Sequence, residues 1–230
     1  MLSSHHSSWS MGWFGKLPSV GDFAGRGIPQ SLQGTVHEWT SSGMAALARM
    51  YPGEWRDIYL LSPVWYFVMN ASIWDKNALM GCIAPSFDRV GRCSPLLALR
   101  SFDAKDINEV LPPKSRWLYK IDTVLRRIVA EKIMVENVFN ILEQQNDIEA
   151  NSDNTASILS DLGIIDGVTE NRYGWFSWPD LSVLFAERAD RSFWWTEPSP
   201  KLPPRQIIHR GSPDESLFCL LAARGFSNGL

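Results

Sequence analysis

Histidine, cysteine, basic runs and long apolar stretches are all scarce in this chain, and each scarcity closes a class of function. Only four histidines occur in 230 residues. Two of them, His5 and His6, lie in the N-terminal stretch MLSSHHSSWS. With His37 and His209 alone in the rest of the chain, there is no H-x3-H, H-E-x-x-H or EF-hand spacing to hold a metal. The three cysteines, Cys82, Cys93 and Cys219, are odd in number and lack zinc-ligand spacing, as expected of reduced thiols in a cytosolic protein. The net charge is −3 and the basic residues form no cluster, which leaves no footprint for nucleic acid. The longest apolar run, 58–69, is too short to span a bilayer and is broken by Ser62 and Pro63. The N-terminus has neither the basic start nor the apolar centre of a secretory signal. Residues 1–11 therefore read as a disordered leader, and the protein as cytoplasmic and free of cofactors.

What the chain does have is apolar mass: 45% hydrophobic residues and eleven tryptophans. That suffices for one sizeable core, and 12–230 reads as a single domain. An opening strand over 12–16 leads into a loop rich in Gly and Pro. A helix opened by Pro29 at its first position runs to about Met50, with Leu32, Val36, Trp39 and Met44 on one side and Pro52-Gly53 as its stop. The run 58–69 reads as β-rich with a bulge or break at Pro63; with 78–84 and 94–100 it makes a meander. From Lys114 to about Gln145 the apolar period becomes helical, giving one long helix or two successive ones. A polar loop follows over 146–160. Aromatic strands are expected at 173–178 and 192–196, with a short helix between them over 179–188. A stiff loop at 198–204, a short strand at Ile207-Ile208 and a helix over 212–224 with Pro213 at its first position complete the chain. The predicted fold is α/β: a single mixed, largely antiparallel sheet flanked by helices in an α/β/α sandwich.

Four stretches merit a test for chemistry. Gly12 to Phe23 reads GWFGKLPSVGDF, and its Gly-Lys pair suggests a phosphate loop. A Walker A loop, G-x4-G-K-[ST], would need Gly at position 10 and Ser or Thr at position 17; Ser10 and Leu17 stand there. Pro18 also removes a backbone N–H. Gly21, Gly25 and Gly27 do not make a G-x-G-x-x-G run. No G-x-S-x-G nucleophile elbow exists, and neither His37 nor His209 has an evident catalytic partner. The segment Pro85 to Arg92, PSFDRVGR, gathers Ser86, Asp88, Arg89 and Arg92 on one turn. It is either an anion or partner site, or a hairpin loop whose Asp88 caps backbone N–H groups and pairs with Arg89 or Arg92. Cys82 and Cys93 flank it as expected cross-strand neighbours. Asp22 and Arg26 are expected to form an ion pair that locks their loop. Trp194 and Trp195, adjacent on a strand, must face opposite sides. One enters the core; the other meets a second layer or solvent, where it would anchor a partner.

Taken together these phrases resemble the TagF family, also called ImpM, of type VI secretion accessory proteins. Its opening G-x-[FY]-G-K-x-P-x-x-G-D-F phrase, followed by an Arg, is matched by Gly12 to Phe23 with Lys16 and Asp22, and by Arg26. Its S-P-x-W-x-F strand is matched by Ser62 to Phe67. Its P-S-x-D-x-V-G-R phrase and Pro-Leu pair are matched by Pro85 to Arg92 and Pro95-Leu96, and a late S-x-W-W by Ser192 to Trp195. Over 105–190 the resemblance rests on layout alone. Ser94 departs from it, standing where the family has an aromatic. The resemblance implies a non-enzymatic cytoplasmic regulator that represses type VI secretion after translation. It would act by binding a component of the machine, with the forkhead-associated scaffold protein as the expected partner. The alternative is an enzyme or binding protein for a phosphorylated or anionic ligand, built on Asp22, Asp88, Arg89 and Arg92.

Overall fold

The computed structural model describes residues 11–147, 181–197 and 204–223. Among the described residues seven strands form one sheet: β1 (Met11–Lys16), β2 (Phe23–Arg26), β3 (Trp65–Met69), β4 (Ala78–Ala84), β5 (Leu96–Phe102), β6 (Arg191–Trp195) and β7 (Gln206–Arg210). Their order is β2-β1-β5-β4-β3-β6-β7 and every described pairing is antiparallel. The meander appears as expected, β3 beside β4 beside β5, with Phe67 opposite Gly81 and Gly81 opposite Leu99.

The period-2 alternation of strand side chains makes both faces apolar. On β3, Trp65, Phe67 and Met69 point to one layer, while Tyr66 and Val68 point to the other. The first layer is α1 (Gln30–Met50), α2 (Trp55–Leu60) and α6 (Glu215–Ala222). The Trp39 indole N–H of α1 donates to the Asp214 carbonyl ahead of α6 at 2.8 Å. The second layer is α3 (Ile107–Ala130), α4 (Val135–Asp147) and α5 (Leu181–Glu187). Trp117, Ile121, Leu125 and Ile128 of α3 are wholly buried, on the stripe that their spacing predicts. The α/β/α sandwich is thus present, with helices on both faces.

Several local expectations need correction. The run 58–69 is not one β segment: Ile58 and Tyr59 belong to α2, and the strand starts only at Trp65, after Pro63. A proline next to a strand start supplies no ladder N–H, so the chain turns there and pairs later. Pro29 is the residue before α1 rather than its first turn, and its carbonyl accepts the Gln33 N–H at 3.0 Å. Pro213 likewise precedes the cap of α6; Asp214 caps it by accepting the Leu217 N–H at 2.8 Å. The helical stretch after Lys114 is two helices, the first starting earlier, at Ile107. Lys132 takes a left-handed φ of 53° between them. β1 starts at Met11, one residue ahead of the expected domain start. The expected strand at 173–178 and most of the loops at 146–160 and 198–204 lie outside the described residues.

Candidate functional site

The signature phrases converge where β1 and β4 end and α2 passes over them. Ser86, fully buried on the loop after β4, holds three elements together. Its hydroxyl donates to the Lys16 carbonyl at 2.7 Å. Its backbone N–H donates to the Tyr59 hydroxyl of α2 at 2.9 Å, and that hydroxyl donates to the Ser86 carbonyl at 3.1 Å. Burial first raises the Tyr59 phenol well above its ordinary pKa, so it serves as a neutral strut.

Asp88 is the hub. It is completely buried, and its Oδ2 accepts from Lys16 Nζ at 3.1 Å and from Arg92 Nε at 2.7 Å. Its Oδ1 accepts the backbone N–H groups of Val90 at 3.0 Å and Arg92 at 2.9 Å. Burial alone would raise its carboxyl pKa. The hydrogen bonds from the Arg92 backbone and from the Lys16 and Arg92 side chains, with the charge of Lys16, outweigh that and hold it well below the usual carboxylate range. Lys16 is itself buried, its ammonium 5.1 Å from the Phe23 ring centroid. The loop closes on Gly91, which takes φ 87° and is pinned from outside by Arg56 of α2, whose Nη1 donates to its carbonyl at 2.7 Å. A second tie runs to the β1–β2 loop: the Arg89 N–H donates to the Val20 carbonyl at 2.8 Å, and Arg92 Nη2 to the Gly21 carbonyl.

Gly15 has a different role from that of a phosphate-cradling glycine. Its φ is 147°, and a Cβ there would stand 2.1 Å from the Pro95 carbonyl oxygen. The Gly-Lys pair therefore lets β1 press against the start of β5 and aims Lys16 inward at Asp88.

Lys16, Ser86, Asp88 and Arg92 are thus brought together, and the Asp88–Arg92 hairpin pairing expected from the sequence is present. The Asp22–Arg26 pair is absent among the described residues. Asp22 instead accepts the Phe23 N–H at 2.8 Å, and the Arg26 guanidinium lies 4.4 Å from the Phe139 ring centroid on α4. Cys82 and Cys93 are not cross-strand neighbours: Cys82 pairs with Ala98, while Cys93 bridges Phe87 within the loop. Trp194 and Trp195 face opposite layers and both are buried, at 0% and 6% exposure, so neither is an exposed anchor. His37 packs edge-on against Phe23, ring centroids 4.5 Å apart, and His209 Nε2 lies 3.5 Å from the Asp214 carboxylate.

Sequence reasoning missed Tyr59, which lies in the part of α2 read as a strand, and Arg56, which lies just ahead of that run. It also missed a second buried polar cluster on the opposite layer. The Tyr66 hydroxyl donates to Asp122 of α3 at 2.8 Å, and Arg126 Nε, one turn on, donates to the same carboxylate at 2.5 Å. Asp122 and Arg126 at i, i+4 on a helix were the only available signal. Among the described residues no group of three or more His, Cys, Asp or Glu could hold a metal ion. Nor is any helix among them long and apolar enough to cross a membrane.

The S-P-x-W, P-S and P-L phrases also share a shallow groove lined by Ser62, Pro63, Trp65, Pro85 and Pro95 and walled by Phe218 and Leu221 of α6. With the geometry in view, the profile of the TagF N-terminal domain, type VI secretion system-associated, matches residues 12–144. The chain belongs to the TagF family. The TagF match ends inside α4, yet β6, β7 and α6 continue the same sheet and close its first layer. The fold has a solved counterpart over nearly the whole chain: the crystal structure of PA0076 from Pseudomonas aeruginosa PAO1 superposes with a TM-score of 0.70 at 22% identity. The alignment covers 93% of this chain and 94% of that one. No curated protein matches. Family membership makes this a type VI secretion-associated protein.

Proposed function

We propose that this chain is a cytoplasmic, non-catalytic regulator that represses type VI secretion after translation by binding a component of the machine, the forkhead-associated scaffold protein. The observation that carries this reading is the closure of the signature cluster. Asp88 is buried and saturated by Lys16, Arg92 and two backbone N–H groups. A general acid or base must reach a substrate proton, and a carboxylate held in that way does not. The rival reading, chemistry on an anionic ligand by Asp22, Asp88, Arg89 and Arg92, needs those groups open to one pocket. Asp22 is exposed and accepts the Phe23 N–H, while Asp88 is closed off by its own donors.

A cluster with no open catalytic group still does something: it makes a rigid turn. The turn presents Arg89, Val90 and Arg92 outward, and we assign the partner contact to it. The test is co-purification. The tagged chain, expressed at its natural level in its own host, should retain the forkhead-associated scaffold protein, identified by mass spectrometry. A purification that brings down none of it, while the lysate contains the scaffold protein, contradicts the reading.

A further inference from the structure

We infer that the partner surface is an arginine-framed acceptor for an acidic protein segment, built by Arg56, Arg89 and Arg92 around the exposed tip residue Val90. It rests on the reading of the chain as a binding regulator and specifies what that surface recognises. Arg56 had no place in the signature phrases; its position comes from the fold.

The three guanidinium groups come from two elements and meet over one tight loop. Arg56 of α2 reaches the Gly91 carbonyl at 2.7 Å and is exposed. Arg92 reaches Asp88 and the Gly21 carbonyl with its Nε and Nη2, and its side chain is still 61% exposed. Arg89 is exposed, and among the described residues its guanidinium has no hydrogen-bond partner; its Nη2 would lie 3.5 Å from a Cβ on Gly21. Val90 between them is 68% exposed, one of the most exposed large apolar side chains described. The loop's own carboxylate, Asp88, is at 0% exposure and already neutralised by Lys16 and Arg92. The outer surface of the turn therefore carries positive charge that the loop does not balance internally.

The chemistry of the occupant follows. Planar guanidinium forks suit carboxylates, and a rigid backbone beneath them lowers the entropy lost on binding. A single exposed apolar residue inside a charged frame matches a segment with acidic residues around one apolar side chain. Arg56 and Arg92 also hold the loop, whereas Arg89 makes no side-chain bond among the described residues and can change without loosening the hub.

The probe is a fluorescein-labelled twelve-residue peptide of Glu and Asp with one central Leu, titrated with the purified full chain by fluorescence anisotropy. Binding is expected to weaken roughly tenfold or more in R56E/R89E and to fall with added salt. It is expected to be absent for the same peptide with Gln and Asn in place of the acids. R127E, on α3 in the opposite layer, serves as the charge control and should bind as the parent does. R89E alone keeps the test valid if the double variant melts early, because Arg89 contributes no side-chain bond to the loop. No measurable binding of the acidic peptide, equal binding by R89E, equal binding of the neutral peptide, or binding only of a phosphoserine version would each overturn the inference. The measurement uses purified protein and no secretion, so it can fail while the regulator reading stands, and the reverse.

Discussion

Asp88 and Lys16 are 72 residues apart in sequence and share one buried contact, and the two ends depend on it unequally. Asp88 without Lys16 keeps Arg92 and two backbone donors. Among the described residues, Lys16 without the Asp88 charge keeps its position above the Phe23 ring and no other side-chain partner. D88N is therefore expected to cost about 3–5 kcal/mol, the range for leaving a buried charge uncompensated, and K16M less than about 2 kcal/mol. Urea denaturation of both variants checks the order; equal costs would contradict it. The pH dependence follows from the sign of the shift. A carboxyl held below its ordinary value contributes stability that is present above the unfolded value and is lost only as pH falls through the lowered one. The D88N cost should accordingly stay level from neutral pH down to about pH 4. At this scale the sequence was readable for one of its two expected local ion pairs: Asp22 and Arg26, also four residues apart, do not meet. Asp88 four residues before Arg92 in a turn is a local pattern; Tyr59 bonding Ser86 and Lys16 reaching Asp88 are made by the fold, and no spacing rule reports them.

Elements were legible where one period dominates. The β3–β4–β5 meander and the α3 stripe carry long, unambiguous patterns. The stretch 55–60 does not: Ile and Tyr suit a half-buried strand and a short packed helix equally, and the fold decides by laying it across the end of the sheet. The tryptophan pair shows the same limit. Alternation requires opposite faces, yet only the second helical layer determines that Trp195 is covered. Gly15 belongs to this scale because it is where two strands approach. With φ at 147° and a Cβ position 2.1 Å from the Pro95 carbonyl, G15A must strain the backbone and push β5 away. The expected result is a loss above about 3 kcal/mol, seen as low soluble yield and a depressed Tm. A variant that melts with the parent would show that the glycine is dispensable and the close approach incidental.

At the scale of the whole molecule, the two layers differ in the polar groups they enclose. The first layer encloses the closed signature cluster. The second encloses Tyr66 and Asp122, with Arg126 bonding Asp122 from an exposed position and Glu197 after β6 close enough to feel the Asp122 charge. Burial, then the charge of Asp122, pushes the Glu197 carboxyl up to about 7. A raised carboxyl costs stability as the unfolded chain ionises first: native stability is fullest below the ordinary value near 4 and declines as pH rises to about 7. E197Q should thus stabilise the protein at pH 8 by an amount on the order of 1 kcal/mol, reduced by the partial exposure of Glu197, and have no effect near pH 4. Thermal melts at the two pH values read this directly; a destabilising E197Q at pH 8 would show that the ionised carboxylate is needed. The same two-layer design explains how much of function could be read in advance. The signature phrases pointed to a type VI secretion-associated family, and the fold then showed that their polar residues hold a turn in place.

The proposed restraint of secretion meets its sharpest test in the amount of type VI-secreted protein in the culture supernatant. The measurement compares host cells lacking the chain, holding it at its natural level, and holding it in excess. Secretion should rise when the chain is absent and fall when it is in excess. Equal secretion in all three would contradict the claim.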